Sequence, residues 1–573
     1  MANVALPTDP VRPEVEPHPE PSPELGAEPG PEEASAVRPR GLRQRTRRRW
    51  GIVRAGLPRT SLAVLCGLLL ALSFPPYGLW PLSVLAVAGM SLLTYRRTAR
   101  QAAWTGFALG APFMLWLLYW LNVIGVDAWL LLGLFEALFV ALMAAGQALT
   151  SRLRAWPLWT ACLWVTQEWA RDRVPLGGFP WGRLAFANTS SPFTPLAALG
   201  GAPLVTFAVA LSGALLAAAV LAVVGARRRA AGAAGTRARW GVRASACAAL
   251  ALMCAVIGYA VPLPTAGDTK DGPASTEVAV IQGNVPHAGM NFLGRPMQVL
   301  DYHVAETDKL AAEVKAGRAV KPDLVIWPED SSDVDPYANA TAGTLIQQTV
   351  DEIGVPILVG ALVDGPGPTH VRNEGIVWSP TTGPGAHYTK QHLVPFGEYV
   401  PYRSLLTKYF SELQRVPVDF YPGDTTGILQ VGPARIGDVI CFEVAYDGIV
   451  HDAVAKGGRL LVVQTNNATY EHTNQPDQQF AMSRLRAVET GRAVAIASTS
   501  GISAIIAPDG RVEMRTQLAT AAELEANVPL RDGLTLADRV GAAPEWALAF
   551  VGLLACAFAM VAGRRNRSAA TER

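Results

Sequence analysis

Cysteine is scarce in this chain and badly placed for disulfides. The 573 residues hold six. Cys66, Cys162, Cys247, Cys254 and Cys556 lie in long apolar runs, which leaves Cys441 as the one cysteine of the polar segment. A disulfide framework within that segment is excluded, so Cys441 is a core filler, a free thiol or a nucleophile. Charge is scarce too. Only 17% of residues are charged against 50% hydrophobic, too apolar for an ordinary soluble chain. None of the eight histidines forms HExxH or another metal-ligand pattern, and no GxxxxGK[ST] loop is present. No metal, no cofactor, no nucleotide activation and no nucleic-acid partner are therefore expected. The chain also lacks a repeat of solenoid period and a cleavable secretory signal, since the first apolar run begins late and has no small-residue cleavage pattern.

What is abundant is apolar sequence in blocks. Ser61–Phe74, Leu79–Thr94, Trp104–Ile124, Trp129–Leu149, Leu158–Ala170, Ala197–Val224, Ala244–Val261 and Ala543–Val561 are candidate spans. Several approach the ~20 residues that cross a bilayer; the first, second and fifth are short. Arginines at 43–49, 96–100, 152–154, 227–243 and 564–567 fall on alternate connections. With eight spans these share one side, which the positive-inside rule makes cytoplasmic; Arg171, Arg173 and Arg183 are exceptions. Both termini are then expected inside a bacterial cytoplasmic membrane, and the segment from about Asp268 to Asp538 outside. Residues 1–50 read as a Pro/Glu-rich disordered cytoplasmic tail ending in arginines. Residues 57–265 hold seven helices, 276–532 an α/β domain, 543–563 the last helix and 564–573 a cytoplasmic tail. Within the membrane, Glu136 reads as a structural hydrogen-bonding group. Trp181 reads first as an interfacial anchor and second as the wall of a substrate entrance.

In the polar domain, strands are expected at Val278–Gln282, Leu324–Trp327, Ile357–Val363, Gly375–Ser379, His387–Lys390, Ile436–Cys441, Leu460–Gln464, Ala493–Ser498 and Ile502–Ala507. Helices are expected at Gln298–Ala316, Thr344–Ile353 and Gln475–Gly491. Thr382-Gly383-Pro384-Gly385 and Pro508-Asp509-Gly510 read as hairpin turns.

Three strand ends carry chemistry. Glu329 follows the apolar run Leu324–Trp327 and Pro328, where burial can tune a carboxylate into a general base. Lys390 ends a strand and precedes a Pro/Gly/aromatic loop to Pro401. A lysine beside a thiol lowers the thiol pKa and can stabilise an oxyanion. Cys441 closes the run Ile436–Ile440, and its thiolate would form a thioester. The backbone N–H of Phe442 is the natural oxyanion donor. Glu443 either orients Lys390 or makes a plain salt bridge. Each has a blander reading: a solvated loop acid, a surface lysine and a core cysteine.

Trp327-Pro328-Glu329, then Lys390, then Cys441, in that order, resembles the Glu-Lys-Cys triad of the carbon-nitrogen hydrolase (nitrilase) superfamily. Gln282-Gly283-Asn284-Val285-Pro286, the run from Val394 to Pro401 and the helix from Phe480 to Glu489 resemble the apolipoprotein N-acyltransferase family more narrowly. So do Phe74-Pro75-Pro76-Tyr77-Gly78-Leu79-Trp80-Pro81, and Glu168 to Arg171 followed by Gly178-Phe179-Pro180-Trp181. The resemblance runs from about residue 57 to 565. It implies an αββα sandwich, with Glu329 as general base, Lys390 as oxyanion stabiliser, Cys441 as nucleophile and Glu398 as a further active-site acid. It also implies a phospholipid acyl donor within the membrane and, as acceptor, the α-amine of a diacylglyceryl-modified apolipoprotein. Phe442 stands where the family often shows Tyr, and Asn467 and Thr469 where Asp and Trp are common. Phe292 is the nearest aromatic after the Gln282-Gly283-Asn284 motif. The alternatives are a membrane-tethered amidase and a catalytically silent scaffold of a membrane complex. Eight spans are excessive for a tether, and a complete triad argues against a scaffold.

Overall fold

Between residues 57 and 261 the apolar runs fold as helices. The computed structural model describes residues 57–571, apart from 229–233, 271, 291–293, 409–412 and 415. The N-terminal tail and Phe292 lie outside the described residues. The first seven helices are α1 (Leu57–Leu72), α2 (Pro81–Thr94), α3 (Ala99–Leu117), α4 (Val126–Thr150), α5 (Trp156–Arg171), α6 (Ala197–Arg228) and α7 (Ala234–Val256). Proline sets the start of α2, and the Thr98 side chain caps α3 by accepting from Gln101 N–H. Helix α6 is kinked at Gly200 and Gly201, where φ leaves the helical range. Among the described residues, four helices are long and apolar enough to cross a membrane: Val126–Thr150, Thr194–Arg227, Arg239–Ala260 and Ala543–Arg565. Glu136 is buried 3.4 Å from Arg171 Nη1, the structural pairing its position suggested.

The polar domain opens with β1 (Ser275–Gln282), α8 (Gln298–Lys315), β2 (Leu324–Ile326), α9 (Ala340–Ile353), β3 (Ile357–Asp364), β4 (His370–Ser379) and β5 (Gly383–Thr389). There follow α10 (Arg403–Leu406), β6 (Asp419–Phe420), β7 (Ile428–Val431), β8 (Ala434–Ile440), α11 (Asp447–Ala455), β9 (Leu460–Thr465) and α12 (Gln475–Thr490). Strands β10 (Val494–Ser498), β11 (Ala504–Ile506), β12 (Val512–Arg515) and β13 (Ala522–Pro529) complete it, before α13 (Leu536–Val540) and α14 (Ala543–Thr571). All nine expected strands are present within a few residues, and both hairpin turns join antiparallel pairs. The strands β6, β7, β12 and β13 and the helices α10, α11 and α13 were not expected. Edge strands such as β12 and β13 are half-exposed and carry Glu513, Glu523 and Glu525, so they lack a continuous apolar run.

One sheet runs β13-β1-β2-β3-β4-β5, with β6 beside β4; the other runs β12-β11-β10-β9-β8-β7. Their inner faces meet through Val280, Ile326 and Leu358 on one side and Ile436, Ile440 and Val462 on the other. Each such side chain contributes about 1.5–3 kcal/mol on burial. Helices α8 and α9 cover the outer face of the first sheet. The second sheet is covered by α11 and α12, giving the αββα order of a nitrilase-like domain. Here the layers do not end. Val439, Val463, Leu485 and Val488 belong to one continuous core with Phe113, Trp164, Trp181, Phe186 and Val205 of the apolar helical region.

Candidate active site

Three strand ends converge: β2 runs parallel to β1 and β3, β8 runs parallel to β9, and β5, antiparallel to β4, which is itself antiparallel to β3, runs in the same direction as β2. Glu329 lies past β2, Lys390 directly after β5, and Cys441 directly after β8. Cys441 has φ 55°, a left-handed backbone that costs a non-glycine residue energy and turns its side chain out of the strand direction. Such strained turns cluster at functional sites.

Lys390 is fully buried and holds two carboxylates at once. Its Nζ donates to Glu398 Oε1 at 2.7 Å and to Glu329 Oε1 at 3.1 Å. Burial alone would push the lysine's pKa down, but Glu329 and Glu398 outweigh that and hold it well above the usual lysine range. It is therefore a fixed cation. Asn373, on β4, joins the pair by donating to Glu329 Oε1 at 2.7 Å and to Glu398 Oε1 at 3.4 Å. Glu329 Oε2 accepts from the backbone N–H of Asn466 at 2.7 Å, and Glu398 Oε2 from that of Val394 at 2.7 Å. Neither Asn373 nor Asn466 was identified from sequence. Asn373 stands between Arg372 and Glu374, so no apolar context marks it in the sequence.

The thiol of Cys441 is pushed up to about 12, by burial first and by the Glu329 charge second, while Lys390 pulls it down. Lys390 pulls the thiol down, as expected from sequence, but burial outweighs it. A neutral thiol needs a base at the moment of attack, and Glu329 is the neighbouring carboxylate.

Among the described residues Glu443 forms no ion pair with Lys390, whose partners are Glu329 and Glu398. Its Oε1 accepts from the N–H groups of Gln391 at 2.7 Å and His392 at 3.0 Å. Its Oε2 accepts from Ile440 N–H at 2.8 Å, and the Tyr388 hydroxyl donates to both oxygens at 2.9 Å. Glu443 therefore pins the chain on either side of Lys390 to the bend that carries Cys441.

Phe442 is buried in an aromatic stack. Its ring lies 5.7 Å from that of Phe179 and 6.0 Å from that of Trp181. Trp181 is 2% exposed and donates from Nε1 to Gln478 Oε1 at 2.6 Å. The anchoring reading of Trp181 gives way to a wall beside the nucleophile's neighbour. Asn467, one of the departures in its loop, is also buried and fully used. It donates to Gln475 and Gln479 and accepts from Ser498. Behind Cys441, Arg486 of α12 donates to the carbonyls of Val444 at 2.8 Å and Ala445 at 2.9 Å.

Two family profiles match the chain: the apolipoprotein N-acyltransferase N-terminal domain over residues 66–215 and carbon-nitrogen hydrolase over residues 277–531. An apolipoprotein N-acyltransferase of Mycolicibacterium smegmatis is 38% identical over 525 residues, covering 89% of this chain and 88% of that one. One of Geobacter metallireducens is 30% identical, covering 85% and 92%. One of Azotobacter vinelandii is 30% identical, covering 91% and 98%. Among solved structures, an amidase from Nesterenkonia sp. is 19% identical, with a TM-score of 0.33 over 48% of this chain and 97% of that one. The full-length similarity to these relatives, with both profiles in the same order, means that the chain belongs to the apolipoprotein N-acyltransferase family.

Proposed function

We propose that this acyltransferase moves an acyl chain from a membrane phospholipid to Cys441, and from there to the α-amine of a diacylglyceryl-modified cysteine at the N-terminus of a lipoprotein. The observation that carries the reading is the buried lysine shared by Glu329 and Glu398 beside a cysteine at a strained strand end. In the first half-reaction the Cys441 sulfur attacks the ester carbonyl while Glu329 takes the thiol proton. Two of the three Lys390 donors are engaged with carboxylates, and the third is available to the oxyanion together with the Phe442 N–H. Collapse breaks the ester bond. The lysophospholipid leaves as the alcohol, carrying the proton back from Glu329. In the second half-reaction the amine attacks the thioester, Glu329 accepts the amine proton, and the thiol is restored. Thioester to amide is downhill, so no nucleotide is needed.

The membrane arrangement is part of the same reading. All eight apolar helices span a bacterial cytoplasmic membrane, both termini are inside, and residues 276–532 form the outer catalytic domain. The arginine-rich connections and the four long apolar helices support this. A reporter fused after Arg567 should behave as cytoplasmic; an external signal overturns the topology.

The decisive assay is intact mass of protein purified with phospholipid but without acceptor. A long acyl adduct on Cys441 is expected, released by neutral hydroxylamine and discharged by a diacylglyceryl peptide with a free α-amine. An N-acetylated peptide should leave it in place, and Cys441→Ala should carry none. Release of ammonia from small amides, with no adduct, would favour an amidase instead.

A further inference from the structure

Two acceptor groups lie side by side in the interior with no donor to either among the described residues. Asp438 lies on β8 three residues before Cys441, and Gln464 lies on the adjacent β9. Both are completely buried. The register pairs Ile440 with Gln464 and Asp438 with Val462, so Asp438, Ile440 and Gln464 share the face that looks across to the other sheet. There they meet Gly375 of β4. A Cβ on that glycine would overlap both Asp438 Oδ2 and Gln464 Oε1, so the two oxygens occupy neighbouring space.

The Gln464 amide cannot be turned round. Its Nε2 donates to the carbonyl of Trp327 at 2.6 Å, and a carbonyl can only accept. Oε1 therefore points away from Trp327, and it has no donor among the described residues. Neither oxygen of Asp438 has one either. An ionised carboxylate buried beside an amide oxygen, and repelled by Glu443 and Glu329, would be heavily penalised. Burial first, then Glu443 and Glu329, hold the Asp438 carboxyl well above the usual carboxylate range. The neighbouring Tyr388 hydroxyl is already committed to Glu443.

We propose that Asp438 is a neutral carboxylic acid in the folded enzyme, donates its proton in a hydrogen bond to Gln464 Oε1, and so acts as a positioning residue for Glu329. The strut runs from the nucleophile's strand through Gln464 to the Trp327 carbonyl, two residues before the base. It ties β8, β9 and the end of β2 into one rigid unit across the two sheets. Gly375 is required at its midpoint because any side chain there would displace the strut. A neutral carboxyl kept as a hydrogen-bond donor is an established use of burial in enzymes.

Two measurements on the full chain in lipid test this. Difference infrared spectra of wild type against Asp438→Asn should show the carbonyl stretch of a neutral carboxylic acid, persisting as pH rises to about 9, far above an ordinary carboxylate. Absence of that band, or its loss with ordinary carboxylate titration, overturns the proposal. The kinetic arm rests on the thioester reading above; the infrared arm does not, so the two can fail separately. Asp438→Asn keeps a neutral donor and should retain most of the wild-type rate of acyl-enzyme formation. Asp438→Leu should lose on the order of 100-fold through misplacement of Glu329. If Asp438→Leu does not fold, Asp438→Asn and the infrared band still decide. An Asp438→Asn variant that folds yet is nearly inactive overturns the role.

Discussion

Asn373 donates one amide group to two carboxylates, reaching Glu329 at 2.7 Å and Glu398 at 3.4 Å. Both carboxylates also bind Lys390, so the asparagine closes a ring around the cation. The two acids are thereby held a fixed distance apart without a second positive charge.

Asn373→Ala should leave the fold intact and lower acyl-enzyme formation by roughly 10- to 100-fold, because Glu329 is free to swing on Lys390. Single-turnover acylation followed by mass spectrometry measures this. A rate equal to wild type would mean that Lys390 alone aligns the base.

Cys441→Ala, Glu329→Gln and Lys390→Ala should each abolish nearly all acyl transfer. Because they serve one transition state, the double variant Glu329→Gln/Lys390→Ala should be little worse than either single one. Glu398→Gln should also be severe, since it removes half of the charge that keeps Lys390 in place. The check is peptide acylation alongside thermal unfolding. A well-folded Lys390→Ala enzyme with near-normal turnover would sink the oxyanion assignment.

The thiol prediction concerns pH. With its pKa pushed up to about 12, Cys441 should alkylate faster by about tenfold per pH unit from about pH 7 to 10, with no plateau. Peptide-resolved labelling with iodoacetamide reads this. Lys390→Ala should be slower at every pH, since the lysine pulls the thiol down. For stability the sign is the same as for any raised pKa. The contribution is complete below the unfolded thiol's pKa of about 8.5 and is lost as pH climbs toward that of the folded thiol. A plateau below pH 8 would indicate a resting thiolate, leaving Glu329 no proton to take.

Arg486→Met should cost roughly 3–5 kcal/mol. The change strips the carbonyls of Val444 and Ala445 of a donor and leaves Glu489 facing Asp447 without its guanidinium partner. Arg486→Lys should recover little, because one ammonium cannot serve carbonyls and carboxylates in several directions. Thermal unfolding of the detergent-solubilised protein is the measurement.

The parts of this site that could be read from sequence are those with a local signature. The run Ile436–Ile440 announces a buried strand, and Pro328 and the loop after Lys390 mark where strands stop. Asn373 and Asn466 carry no such signature. They lie 44 and 137 residues from Glu329 in the chain, so only the pairing of strands brings them to it. Glu443 was ambiguous for the same reason, because its four partners come from two segments about fifty residues apart. Trp181 was misjudged because tryptophans favour interfaces, and sequence could not reveal that Phe442 stacks against it. The lysine's downward pull on the thiol was legible, but the depth of burial that outweighs it was not.

The core that unites Val439 and Leu485 with Trp164 and Val205 has a consequence for dissection of the molecule. A soluble member of a four-layer αββα architecture closes its own surface. In this chain α12 has apolar and charged partners on both flanks, so residues 276–532 cut free would present a greasy wound in place of an outer surface. The hydrolase half should precipitate when expressed alone, and its helical half should lose the lid of its own interior. Neither is a module in the sense of a part that can be lifted out.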